Sequence, residues 1–199
     1  MKSPIPQIIV GNRKKGEEFS LTADLSKVGI NHVYIQPGVY EHSNSRTNIS
    51  EAHKNCIRYA KEQGWEFCII LEDDVKFTHT DSYRYFLDSM NNLPKDWDVY
   101  TSAFYTCRSF EKDYQNIYRV QHFAGLHCYA VNSKFYDTFL SCPDNHNIDV
   151  WVSENLNNYC YCCYPFAAIQ EAGYSENVMQ EKDYSYLLKG KELFSGFAQ

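Results

Sequence analysis

The chain has 199 residues, enough for one sizeable hydrophobic core and short for two, so residues 1–199 are expected to form a single domain. A composition of 44% hydrophobic and 22% charged residues is that of an ordinary globular protein, and a formal charge of −6 argues against a general nucleic-acid binder, whose phosphate affinity would rest on clustered Lys and Arg. No stretch approaches the roughly 18 consecutive apolar residues of a membrane span, and the N-terminus lacks the apolar core of a signal peptide, so a cytoplasmic protein without an integral membrane segment is expected.

In chain order, the apolar run Ile8–Gly11 predicts a first strand, followed by Asn12 and Arg13 and a modest helix signal over Ser20–Lys27. His32–Gln36 predicts a second strand closed by Pro37-Gly38, and the polar stretch Glu41–Asn48 reads as loop. Ser50 to Gln63 carries agreeing helix signals. Ser50 is placed to cap, Glu51 suits the first turn, and Gly64 stands where a left-handed residue ends a helix. Ala52, Cys56, Ile57 and Ala60 share one face of that helix, with His53 among them. Trp65–Leu71 follows as the most hydrophobic run, a strand buried on both faces. Beyond it, Asp81–Met90 predicts a helix, Asp98–Phe104 a strand, and Tyr118–His122 with Leu126–Val131 a pair of strands. Ser133–Leu140 and Ile148–Asn155 are helical by spacing, and the tail from about Gln180 shows no core stripe. The eight Cys are read as reduced. Cys160 and Cys162 alternate as on one face of a strand, and no second pair stands at zinc-site spacing.

Strands alternating with helices give an α/β domain with a mixed, mostly parallel central sheet flanked by helices. A helix runs antiparallel to the parallel strand after it, so the start of the Ser50 helix and the end of the Trp65 strand share one sheet edge. That edge, beyond the carboxyl ends of the strands, is where open α/β sheets bind ligands. Glu72, Asp73 and Asp74 sit there in succession. Three adjacent negative charges at the end of a buried strand repel one another, and a divalent cation bridging to a phosphate is the partner that best explains them.

Ser50-x-x-His53, a helix, Gly64, and then Ile69-Ile70-Leu71-Glu72-Asp73-Asp74-Val75-x-Phe77 resembles the glycosyltransferases of the GT-A fold, most of all the family 25 transferases with their Leu-Glu-Asp-Asp signature. Pro94-Lys95-Asp96-Trp97-Asp98, Gly125-x-x-x-Tyr129, Ile148-Asp149 and the series Pro165, Gln170, Ser175 are similar to further positions of that family, and the likeness runs over about residues 7 to 180. The first strand departs from the pattern, ending in Gly11-Asn12-Arg13 where the family has Asn-Leu-x-x-Arg.

The resemblance implies a Rossmann-type GT-A domain that moves a sugar from a nucleotide-diphosphate sugar, a UDP-sugar first among donors, to a saccharide or glycan acceptor. Mn²⁺ or Mg²⁺ would offset the charge on the leaving diphosphate. Asp74 is the first choice for the metal and Glu72 for metal or ribose, with Asp73 second. Arg13, and after it Arg46, suits the nucleotide or diphosphate because a guanidinium bonds two phosphate oxygens at once. His53 joins the donor site. If the reaction inverts the anomeric centre, Asp149 is the expected base, beside Trp151, ahead of His127 and His146. Two other classes remain open: a metal-dependent phosphoryl-transfer enzyme, and a catalytically inactive sugar-binding module of the same fold.

Overall fold

The computed structural model describes residues 7–11, 25–175 and 180–189. Its centre is an eight-stranded sheet with the order β2-β1-β3-β8-β5-β9-β7-β6. The strands are β1 (Gln7–Gly11), β2 (Tyr34–Pro37), β3 (Phe67–Glu72), β5 (Trp97–Thr101), β6 (Ser109–Tyr114), β7 (Ile117–Gln121), β8 (Cys128–Asn132) and β9 (Tyr159–Cys163). From the pairings, β7 and β8 run against the other six, so the sheet is mixed and mostly parallel, as expected.

Strand alternation sends the two faces of β3 into two cores. Cys68 and Ile70 pack with Val99, Tyr129 and Val131 under helix α1 (Ser45–Glu62). Ile69 and Leu71 pack with Tyr100, Cys128 and Tyr161 under helix α2 (Ser82–Met90), where the Phe86 ring stacks on Tyr100 at 4.5 Å. Helices α3 (Tyr136–Leu140) and α4 (Ile148–Glu154) join α1 on the first face through Tyr136, Phe139, Ile148 and Val152. All eight cysteines are free and buried, in keeping with the reduced reading.

Helix α1 begins ahead of Ser50, so the second half of the expected Glu41–Asn48 loop is helical. Asn44 is the cap, its Oδ1 accepting from the Arg46 amide at 3.0 Å. Ser50 therefore lies inside the helix, where its hydroxyl donates to the His146 carbonyl at 2.7 Å. The far end agrees with expectation. Gly64 has φ +67°, its amide bonds Lys61 O, and the Trp65 amide bonds Ala60 O, the paired closure of a glycine-ended helix. Of the segment Ser20–Lys27, residues 25–27 are helical and the rest lie outside the described residues, as do Asn12 and Arg13.

The expected pairing of Tyr118–His122 with Leu126–Val131 does not form. β7 pairs with β6 and β9, whereas β8 lies between β3 and β5. The connection is no hairpin turn: it passes His122 (φ 49°) and Gly125 (φ 110°), with Ala124 bridged to Thr106, before β8 enters between β3 and β5. Two short ribbons complete the molecule: β4 (Val75–Phe77) with β10 (Ala168–Gln170), and β11 (Gly173–Ser175) with β12 (Gln180–Lys182). The tail lacks a core stripe, yet Leu187, in the 3₁₀ turn Ser185–Lys189, is buried.

Candidate active site

β1 and β3 are parallel with Val10 opposite Glu72, so both strands end at one edge. β8 runs the other way, and its approach through Gly125 reaches that same edge. A cleft of 840 Å³ opens there. Arg46 and His53 of α1, Glu72–Asp74 after β3 and Asp149 of α4 all line it. The topology thus gathers the first-choice site residues that lie within the described chain. Gln36 faces an adjoining hollow.

Glu72 is held on both oxygens. His53 Nε2 lies 3.3 Å from Oε1, and Gln170 Nε2 donates to Oε2 at 2.7 Å. Each donor group has its own support: His53 Nδ1 is 2.6 Å from the Tyr129 hydroxyl, and the Tyr105 hydroxyl donates to Gln170 Oε1. Burial lowers the His53 pKa to about 4, outweighing the raising effect of the Asp149 charge, so the ring is neutral at pH 7. With the ring neutral, the 3.3 Å approach of Nε2 to Glu72 is a polar contact rather than an ion pair. When Glu72 is ionised it can only accept, which puts the imidazole proton on Nε2 and makes Nδ1 the acceptor from Tyr129.

The acids themselves are electrostatically loaded. Burial, then the charges of Asp149 and Asp73, raise Glu72 to about 8 against the opposing Gln170 bond. Burial, then Glu72, raise Asp74 to about 8 as well. Asp74 Oδ1 is buried and accepts no hydrogen bond among the described residues, while its backbone carbonyl is pinned by the Glu171 amide at 2.8 Å. Two crowded carboxyls and one unpartnered oxygen fit a hard cation. Among the described residues, no group of three His, Cys, Asp or Glu side chains is placed to hold one unaided. One or two carboxylates with substrate phosphates is an ordinary Mg²⁺ arrangement, so the donor set fits that class of site.

Asp149 sits at the start of α4, with Oδ1 accepting from the Val150 amide and Oδ2 from the Gly125 amide, each at 2.8 Å. One bond on each oxygen fixes the carboxylate and leaves a lone pair on each for another donor. The weaker sequence candidates lie elsewhere. His127 is fully buried, bonded to Ala168 O at 3.1 Å and stacked on Tyr105, and burial lowers its pKa to about 4. His146 is exposed beside Asn145, and Trp151 packs on the core.

Tyr105 was not legible as a site residue. Gly125, Tyr129 and Gln170 stood out in the sequence only as family echoes, and the structure gives them work: Gly125 anchors Asp149, Tyr129 bonds His53 on the ring nitrogen away from Glu72, and Gln170 bonds Glu72 itself. The end of β12 and the segment after it add Lys182 and Tyr184, the latter stacked on Tyr105 at 4.5 Å, to the cleft wall.

No protein-family model matches the chain, and no curated protein sequence matches it. Solved structures do. A glycosyltransferase involved in the glycosylation of the major capsid of PBCV-1 aligns over 86% of this chain and 95% of its own, with 10% identity and a TM-score of 0.53. A197 from STIV aligns over 90% and 95%, with 12% identity and a TM-score of 0.52. UDP-glucose pyrophosphorylase complexed with UDP-glucose aligns over 83% and 92%, with 10% identity and a TM-score of 0.51. At such identities the likeness is one of fold, and the chain has the mixed α/β fold that these GT-A-like and nucleotidyltransferase-like structures share. No helix among the described residues is long and apolar enough to cross a membrane.

Proposed function

We propose that the protein is a metal-dependent glycosyltransferase of the family 25 kind, moving a sugar from a nucleotide-diphosphate sugar to a saccharide or glycan acceptor. The observation that carries this reading is the acid pair Glu72 and Asp74 on one cleft at the carboxyl edge of the parallel strands, with Asp74 Oδ1 buried and without a hydrogen-bond partner among the described residues. The fold shared with a glycosyltransferase and with a structure holding UDP-glucose supports it.

Bound Mn²⁺ or Mg²⁺ would supply Lewis-acid stabilisation of the departing diphosphate. Asp74 and Glu72 are the residues that would hold it, with Asp73 next to them for metal or ribose. Arg46 on the first turn of α1 reaches the cleft as a phosphate ligand, and Arg13 keeps that proposed role from outside the described residues. Asp149 is the proposed base. Its two amide bonds orient it, and its free lone pairs can take the proton of an acceptor hydroxyl as that oxygen attacks the anomeric carbon.

The test is thermal stability against a panel of nucleotide sugars, each with Mn²⁺ and with EDTA. A donor at about 100 times its Kd stabilises the fold by about 2.7 kcal/mol, a rise of about 5–11 °C for a chain of this length. The expected outcome is such a rise for donors of one nucleotide, dependent on metal, followed by transfer to an acceptor. Absence of stabilisation by every donor overturns the reading. Release of a sugar 1-phosphate and a nucleoside triphosphate when pyrophosphate is supplied as acceptor, in place of sugar transfer, would assign the site to the phosphoryl-transfer class instead.

A further inference from the structure

A Glu72 that holds a cation has to be aimed at it. A carboxylate on the last residue of a strand, followed directly by a turn, has freedom to rotate. Here it has little, because donors approach from opposite sides: His53 on α1 and Gln170 on the ribbon that pairs β10 with β4. Gln170 lies opposite Val75, and the next residue, Glu171, bonds the backbone of Asp74, so this ribbon grips the acidic turn through both side chain and main chain.

The orientation of the Gln170 amide is itself determined. Its oxygen accepts from the Tyr105 hydroxyl, which leaves the NH₂ group directed at Glu72. Tyr105 in turn is fixed between the rings of His127 and Tyr184, at 5.9 Å and 4.5 Å. A neutral amide is also the right chemistry. It stabilises an ionised Glu72 without adding positive charge that would compete with a cation, whereas a Lys or Arg there would neutralise the seat.

We infer that Gln170, oriented by Tyr105, is the positioning residue that sets Glu72 for cation binding beside Asp74. The inference rests on the metal-dependent reading of the cleft. Their assigned part is exerted through Glu72, as it is for the outer partners of metal-site carboxylates.

The experiment measures Mn²⁺ affinity by electron paramagnetic resonance on the full chain in the presence of UDP, for wild type, Gln170→Ala, Gln170→Glu and Tyr105→Phe, with melting temperature in EDTA as the folding control. Gln170→Ala should weaken Mn²⁺ binding about 10-fold or more, the range for loss of an outer-shell partner. Tyr105→Phe, which keeps the ring and lets the amide turn, should weaken it less. Gln170→Glu tests direction: if the added carboxylate merely enlarged the seat it would tighten binding, whereas loss of the donor to Glu72 should weaken it at least as much as Ala. Mn²⁺ affinity unchanged in a folded Gln170→Ala protein overturns the inference, as does failure of the wild type to bind Mn²⁺ with UDP. Because the readout is binding, a wild type that transfers sugar with an indifferent Gln170 defeats only this inference. Gln170-dependent Mn²⁺ binding without any transfer defeats only the proposed reaction.

Discussion

Replacing Asp74 with Asn should stabilise the metal-free protein while removing its response to metal. Asp74 is raised from 3.8 to about 8, chiefly by burial and then by Glu72. A carboxyl whose folded pKa lies above its unfolded value binds its proton more tightly when folded. Its contribution is therefore fully favourable below about pH 4 and is lost as pH rises from there to about 8. Each pH unit within that window corresponds to about 1.4 kcal/mol, so the upper bound at pH 7.5 is about 5 kcal/mol. Asp74 is only partly buried, and one proton on either acid relieves both, so about 2 kcal/mol is the working figure. Asn has nearly the same shape and no charge. It should raise the melting temperature in EDTA at pH 7.5 by about 4–8 °C. The gain should vanish near pH 4.5, where Asp74 is already protonated. Thermal melts of wild type and Asp74→Asn from pH 4.5 to 8.5, with EDTA and with Mn²⁺, measure this directly, and only the wild type should gain from Mn²⁺ at the higher pH values. An Asn variant less stable than wild type in EDTA at pH 7.5, or a gain independent of pH, would refute the reasoning that the site stores charge repulsion for a cation.

Gly125→Ala should damage fold and site together. The position has φ +110°, and a Cβ there would lie 3.0 Å from the Tyr105 ring, so a loss of about 2–3 kcal/mol and a fall of about 4–12 °C in melting temperature are expected. A variant that melts with wild type would show that the loop relaxes freely. Asp149→Asn should lower turnover by about 100-fold or more while leaving metal-dependent donor binding in place, since Asn keeps one oxygen for the Val150 or Gly125 amide but cannot take a proton. Its melting temperature should fall by a few degrees, because the NH₂ group then faces an amide donor. Loss of donor binding along with turnover would make Asp149 a donor anchor rather than the base.

Much of this site was legible before any coordinates. The run Phe67–Leu71 specified a strand buried on both faces, Gly64 specified the end of α1, and the antiparallel passage from one to the other placed His53 beside Glu72. What failed was the kind of information that local pattern does not carry. Asn44 and Ser50 are both good caps, and only packing of α1 decides between them; the winner moves the helix start and converts Ser50 into a tie to His146. The partner of β8 was misread because adjacent strands in sequence usually pair, whereas here Ala124 bridges Thr106 and the chain crosses to a place between β3 and β5, a long-range choice that local pattern does not carry. Tyr105 lies far from the acids in sequence, and nothing about an isolated Tyr distinguishes a ring that packs from one whose hydroxyl directs an amide.

The reversal of β8 is what makes the cleft a site rather than an acidic edge. Had β8 run parallel to β3, its amino end would lie at the opposite edge, away from Glu72–Asp74. Running antiparallel, it brings Gly125 to the acid edge, where the bare Cα lets the backbone pass against Tyr105 and offer its amide to Asp149. The same strand carries Tyr129, one turn of the pleat deeper, to the far side of His53. One short segment therefore fixes the proposed base and one half of the support for Glu72, while the β4–β10 ribbon supplies the other half through Gln170. The acids gain their orientation from elements that flank them on both sides, and their mutual repulsion is held in place by those elements rather than relaxed by rotation. A mutation in either flank should accordingly lower ligand affinity, whether or not it also costs stability.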